Sequence, residues 1–222
     1  MLIIFYSTLA FGQSGVKGYY RFNGNSTDVG TNALNGTDSN VTYTTTGGKI
    51  HGAAIFNGTT SYIQVANSAT PYNWGLSQNF TITGWMKITK TGEQYVISKT
   101  TGTPYPFDVR AFTSDHSIAM FRNNTSTSKD IYSAWVDAKW SFFAFVKSGS
   151  TLTAYVTGYP GYSTNTDLSS GTVTNAINLY FGRRSNSSNL SFGGLLSDII
   201  FEDRAWSPAQ LKNKQSADLG FF

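Results

Sequence analysis

Trp140-Ser141-Phe142-Phe143-Ala144-Phe145-Val146, then Lys147-Ser148-Gly149-Ser150, then Thr151-Leu152-Thr153-Ala154-Tyr155-Val156-Thr157 follow one another without a break. Two runs of aromatic and β-branched residues are joined by a short polar, glycine-bearing connection. Such side chains fit a pleated, half-buried surface, and such a connection folds one run back on the other. The stretch predicts an antiparallel hairpin. Upstream, Phe80-Thr81-Ile82-Thr83-Gly84-Trp85-Met86-Lys87-Ile88 alternates, so Phe80, Ile82, Gly84, Met86 and Ile88 share one face.

The same pattern extends in both directions. Strands are expected over 16–22, 41–45, 53–56, 61–65, 94–99, 107–112, 117–121, 178–182 and 192–203. Asn57-Gly58, between the third and fourth of these runs, is a strong hairpin signal. Tyr159–Thr172 reads as a long loop and Asn123–Lys129 as a polar turn. Only Pro208–Gln215 reads as helical, with Ser207 as N-cap and Pro208 at the first helical position. Short strands at such spacing predict an all-β fold, a two-sheet antiparallel jelly-roll sandwich with one short C-terminal helical turn.

The chain has 222 residues, 40% of them hydrophobic, 15% aromatic and 13% charged. That length suits one sizeable core, and the aromatic content argues against disorder. We read residues 15–222 as one domain. Residues 1–14 hold an apolar run, Leu2 to Phe11, too short to span a bilayer. It resembles the apolar part and cleavage region of an export signal, although no basic residue precedes it. A first strand and an anchoring or interaction segment are the other readings. The net charge is +4, but the basic residues are scattered and only Arg183-Arg184 adjoin. Without a basic stripe, nucleic-acid binding is not expected. There is no cysteine, which excludes disulfides and thiolate metal sites.

Four stretches, in order, resemble the laminin-G-like, concanavalin A-like lectin jelly-roll domains of bacterial and viral surface proteins. They are Tyr19–Asn25 with Asp28–Asn32 and Asn35-Gly36; Gly52–Gly58 with Ser61-Tyr62-Ile63; Phe80–Lys87 with Trp140 and Tyr155–Gly158; and Phe192–Leu211. The resemblance covers residues 16–215. It implies the sandwich fold, which hosts lectins, glycosidases and spacers alike, so function has to be argued from the site.

Glycosidases of this fold use two carboxylates, about 5–9 Å apart across the scissile bond. The chain has two glutamates, Glu93 and Glu202, and neither lies in the Glu-x-Asp-x-x-Glu pattern of laminarinase-type members. Asp198 and Glu202 stand two pleat repeats apart, about 13 Å. His51 and His116 are isolated in sequence. No enzymatic activity is expected.

An acid amid the apolar residues of the last strand, Asp198, needs a partner. The loop with Asn23, Asn25, Asp28 and Asn32 is rich in the hard oxygens that Ca²⁺ prefers. The resemblance implies that a structural Ca²⁺ can sit between this loop and Asp198. Alternatively, Asp28 and Asp198 cap turns and accept backbone N–H bonds. Sugars are held by aromatic faces together with amide and hydroxyl groups. Tyr72, Trp74, Tyr105, Trp135, Tyr159 and Tyr162 are the loop aromatics, and Asn73, Arg110, Asn165 and Arg183 are candidates for polar contacts.

The expected function is non-catalytic recognition of a glycan or a surface protein by a secreted or cell-surface domain. The alternative is a structural coat, spike or adhesion module without a small ligand, with the virion surface as its alternative location. That alternative predicts a homo-oligomer or assembly through residues 2–13.

Overall fold

The computed structural model describes residues 15–66, 71–100, 106–122, 125–126, 138–157, 162–166, 173–185, 187 and 189–219. The strands are β1 (Val16–Tyr20), β2 (Gly36–Ser39), β3 (Thr42–Thr44), β4 (Ala53–Asn57), β5 (Tyr62–Val65), β6 (Phe80–Ile88), β7 (Glu93–Ser98), β8 (Asp108–Phe112), β9 (Ser117–Arg122), β10 (Thr125–Ser126), β11 (Ser141–Ser148), β12 (Thr151–Val156), β13 (Tyr162–Thr166), β14 (Leu179–Phe181) and β15 (Gly193–Glu202). One helix follows, α1 (Pro208–Leu219). The first sheet runs β13-β12-β11-β6-β15-β4-β3, with β1 paired to β15, and the second runs β10-β9-β8-β7-β14-β5-β2. All pairings between these strands are antiparallel.

The core lies between the two sheets. Phe80, Ile82, Met86 and Ile88 of β6 face Val109, Ala111, Ile118 and Met120 of the second sheet within one buried cluster. Gly84 completes the β6 face: a Cβ there would lie 2.2 Å from Ile199 Cδ1. The hairpin over 140–157 forms as expected, β11 pairing β12 from Phe143↔Val156 to Ser148↔Thr151.

Three elements differ from expectation. Asn57-Gly58 does not close a hairpin. β4 pairs β15 and β3 in the first sheet, whereas β5 pairs β14 and β2 in the second. Asn57 Oδ1 accepts the backbone N–H groups of Thr59, Thr60 and Ser61, which winds a wider turn that carries the chain from one layer to the other. β13 lies inside the stretch read as a loop. Its sequence, Tyr-Ser-Thr-Asn-Thr, has no apolar alternation, and it is an edge strand held to β12 by backbone pairing. The C-terminal helix has 12 residues rather than a single turn. Its start is as expected: Gln210 N donates to Ser207 Oγ, and Ser207 N donates to Gln210 Oε1, a reciprocal capping box.

β15 carries a bulge. Ser197 pairs Trp85 and Ile200 pairs Thr83, so three steps on β15 oppose two on β6. Asp198 takes the extra place at φ 52°, a left-handed conformation that aspartate tolerates better than most residues. Leu196 and Ile199 both point into the core, so Ser197 and Asp198 both turn to the outer side.

Candidate functional site

The two outer faces of the sandwich are candidates for a site. On the first sheet, the residues that alternate with the core set are Trp85 of β6 and Phe142, Ala144 and Val146 of β11. They form a second buried cluster with Trp206 and Leu211. Leu211 belongs to α1, so the helix closes this face. Trp85 Nε1 donates to Asp218 Oδ2 at 2.8 Å. Lys214 Nζ lies 2.6 Å from that oxygen. Burial pushes the Asp218 carboxyl up, against the opposing pull of Lys214. The Trp85 indole and the Lys214 ammonium are thus both satisfied by Asp218.

On the second sheet, Val109 and Ala111 of β8 point into the core, so Asp108, Arg110 and Phe112 point outward. The register extends this set across the sheet. Thr37 pairs Gln64, Gln64 pairs Tyr180, Tyr180 pairs Ser98, Ser98 pairs Asp108 and Asp108 pairs Phe121. One row of side chains thus spans five strand pairings, with Tyr95↔Arg110↔Ala119 in a neighbouring row. Among the described residues no helix lies over this face. Tyr62, Gln64, Arg110, Phe112, Phe121, Arg183 and Arg184 are half-buried there.

Two guanidinium groups sit over rings on it. Arg110 Cζ lies 4.6 Å from the Tyr95 ring centre and 4.5 Å from that of Phe121. Its Nη1 donates to Glu93 Oε1 and its Nη2 to Asp108 Oδ2, each at 3.1 Å. Asp108 is fully buried and also accepts the Ser98 hydroxyl at 2.7 Å. Burial pushes its carboxyl up to about 6, although Ser98, Arg110 and Arg184 oppose the shift. The second cation, Arg183, lies 4.1 Å from the Tyr62 ring centre and 5.6 Å from that of Tyr180. The Tyr180 hydroxyl donates to Gln64 Oε1 at 3.1 Å. The face therefore offers rings, an amide and guanidinium donors, in one layer.

Of the sequence candidates, Arg110 and Arg183 come together on this face. Tyr72 and Trp74 do not. Each is 2% exposed, because their loop folds inward over the sandwich. Tyr72 shares a 2.9 Å hydroxyl contact with Tyr20, which donates to the Leu34 carbonyl, so Tyr72 is the donor between them. Trp74 stacks on Phe80 at 4.5 Å. They are core residues, a correction to their expected place in a ligand site. Asn73 Nδ2 donates to the Asn175 carbonyl, a loop-to-loop tie. Tyr105, Trp135 and Tyr159 lie outside the described residues, as do residues 2–13. Tyr162 and Asn165 are described only as backbone of β13.

The five residues suggested for calcium do not fit it. Asp28 Oδ1 accepts the N–H of Tyr19 and of Gly30, and Oδ2 accepts that of Leu34. Asp198 Oδ1 accepts the Tyr19 hydroxyl at 2.8 Å and lies 3.0 Å from His51 Nδ1, while Oδ2 lies 2.7 Å from Ser197 Oγ. The two carboxylates thus meet opposite ends of Tyr19, its N–H and its hydroxyl, rather than each other. Asn25 Oδ1 accepts the Thr27 N–H, and Asn32 Nδ2 donates to the Lys17 carbonyl. Asn23 is exposed. Hydrogen-bond donors face the oxygens a cation would need, and no group of three or more His, Cys, Asp or Glu that could hold a metal occurs among the described residues. Asp198 is a tie point, as its burial required. It fastens β15 to Tyr19 and His51 instead of directly to the 23–32 loop.

Residues 57–212 match the sequence model of the Laminin_G_3 family, described as the concanavalin A-like lectin/glucanases superfamily. No curated protein sequence matches significantly. Among solved structures, domain 4 of AbnA, a GH43 extracellular arabinanase from Geobacillus stearothermophilus solved with arabinotriose, aligns with a TM-score of 0.66 at 17% identity, over 90% of this chain and 97% of that one. The binding domain of Paraclostridial Mosquitocidal Protein 1 aligns with a TM-score of 0.74 at 12% identity, over 94% of this chain and 53% of that one. The botulinum neurotoxin serotype D binding domain gives 0.65 at 14%, over 94% and 52%. This chain spans nearly all of the arabinanase domain and about half of each toxin chain.

Proposed function

This chain belongs to the concanavalin A-like lectin/glucanases superfamily, and we propose that it is a non-catalytic carbohydrate-binding domain whose ligand lies on the outer face of the second sheet. The observation that carries the proposal is the layer of half-buried Tyr62, Phe112 and Phe121 interleaved with Arg110, Arg183 and Gln64. Rings supply apolar contact for a sugar's C–H face, and the amide and guanidinium groups supply directional donors and acceptors. Most of these polar groups are already held by neighbours, so little side-chain freedom is lost on binding. The arabinotriose-bound arabinanase domain supports the same class of ligand.

The absence of catalysis rests on the carboxylates of this face. Glu93 and Asp108 are both held by one guanidinium, and Asp108 is fully buried. A hydrolytic pair must instead flank the scissile bond. A secreted or cell-surface setting fits such a role and belongs to the proposal.

A glycan array followed by calorimetry tests it. Binding to at least one glycan is expected, with Tyr62→Ala and Phe121→Ala each weakening it about tenfold, as loss of one ring contact predicts. A blank array with folded protein, or two ring variants that bind as tightly as the parent, would sink the proposal.

A further inference from the structure

The two ring-stacked arginines differ in one respect. Arg110 is neutralised by Glu93 and Asp108. Arg183 is not: Nε donates to the Arg184 carbonyl at 3.2 Å and Nη2 to the Ser185 carbonyl at 3.0 Å, and no carboxylate of the described residues pairs with it. Those two bonds use two of the five N–H donors of a guanidinium. The backbone of its own turn and the Tyr62 and Tyr180 rings hold the group in place. Holding a cation this way, without a counter-charge among the described residues, leaves a preorganised fork for two oxygens of an oxyanion.

Charge on the rest of the face points the same way. Arg110, Arg183 and Arg184 stand there against Glu93 and Asp108, and Asp108 interacts with both Arg110 and Arg184. Among the described residues of the face both carboxylates are matched, and the surplus positive charge resides at Arg183. Beside it, Tyr62 and Gln64 are half-buried and reachable.

We infer that the saccharide bound on this face is anionic, carrying a carboxylate or a sulfate ester, and that Arg183 is its charge anchor, an inference that rests on the carbohydrate-binding proposal. Tyr62 and Gln64 contact the ring of the charged residue, and the Phe112–Phe121 pair lies farther along the same row of strands.

The test uses the full chain and matched saccharides: gluco-, galacto- and manno-configured trisaccharides, each as the neutral form, the uronate and the 6-O-sulfate. Binding is measured by calorimetry at low and at physiological salt. At least one acidic form is expected to bind about tenfold tighter than its neutral parent, as a charge-assisted contact predicts, with the advantage shrinking as salt rises. Which acidic form wins distinguishes carboxylate from sulfate. Arg183→Gln should remove the advantage, bringing the acidic form and its neutral parent to equal affinity, and Arg183→Lys should keep only part of it, because the charge remains but the fork is lost. Thermal melts confirm that both variants fold. Equal affinity for neutral and acidic forms, or an advantage untouched by Arg183→Gln, overturns the inference while carbohydrate binding stands. Silence from every saccharide here and on the broad array overturns both.

Discussion

The two outer faces of this sandwich are built from the same kinds of residue and meet different fates. Trp85, Phe142 and Val146 on the first sheet are as aromatic and β-branched as Tyr95, Phe121 and Tyr62 on the second. On the first face the chain returns as α1 and closes the layer, down to a hydrogen bond for the indole. On the second, Arg110 and Arg183 lie over rings that no helix of the described residues covers. Aromatic content alone does not mark a site in such a fold. The marker used for the proposal is a ring layer that no helix of the described residues covers, with charge built into it.

Under the proposed function the first face is structural and the second takes the ligand, and substitutions can break that contrast. The largest effect is expected from Trp85→Ala. It empties a buried position in the second cluster and strands Asp218, and should cost about 4 kcal/mol in urea unfolding, whereas Tyr62→Ala should cost less than about 1 kcal/mol. Equal losses would erase the distinction between the faces. Next, Asp218→Ala leaves the Lys214 ammonium and the Trp85 N–H buried without their shared partner. A loss of about 3 kcal/mol is expected, and a change below about 1 kcal/mol would mean that α1 is not the seal described here.

The smallest effect is a dependence on pH at the second face. Asp108 has a folded pKa of about 6 against an ordinary 3.8. A raised carboxyl pKa means that the folded state binds the proton more tightly. Its contribution to stability is therefore full below pH 3.8 and is lost as pH rises through about 6. Melting curves between pH 4 and 7 should show this loss in the parent and lack it in Asp108→Asn. An unchanged slope in the variant would place the titrating group elsewhere.

Much of the fold was legible because alternation is a local property. The β6 pattern placed Phe80, Ile82, Gly84, Met86 and Ile88 on one face, and all of them turn inward. The layer change at Asn57-Gly58 was not legible, because a tight-turn dipeptide looks the same whether the next strand pairs with its predecessor or crosses to the other sheet. The length of α1 was hidden for a related reason. Its buried residues include Lys214 and Asp218, and a charged pair on the inner side disguises an amphipathic helix. Arg110 and Arg183 were found as polar candidates, but their ring partners sit in strands and resemble core residues. Phe121 alternates with Met120 and Arg122, so its outward direction follows from its parity. Tyr72 and Trp74 show the opposite error, since a place in a loop does not imply exposure.

The placement of β15 has a consequence for how the protein is made. β15 is the centre of the first sheet, paired with β6, β4 and β1, and it comes from residues 193–202. Among the described strands, β1 pairs with this one alone. During synthesis β1 leaves the ribosome long before β15 and waits for it before it can join a sheet. The pairing closes a loop of nearly the whole chain, which makes it entropically late and sets the pace of folding by topology. Until then the Tyr20 ring, destined for the core, has no β15 to pack beside. Premature termination anywhere before Glu202 would thus remove both the centre of the first sheet and the partner of its earliest strand.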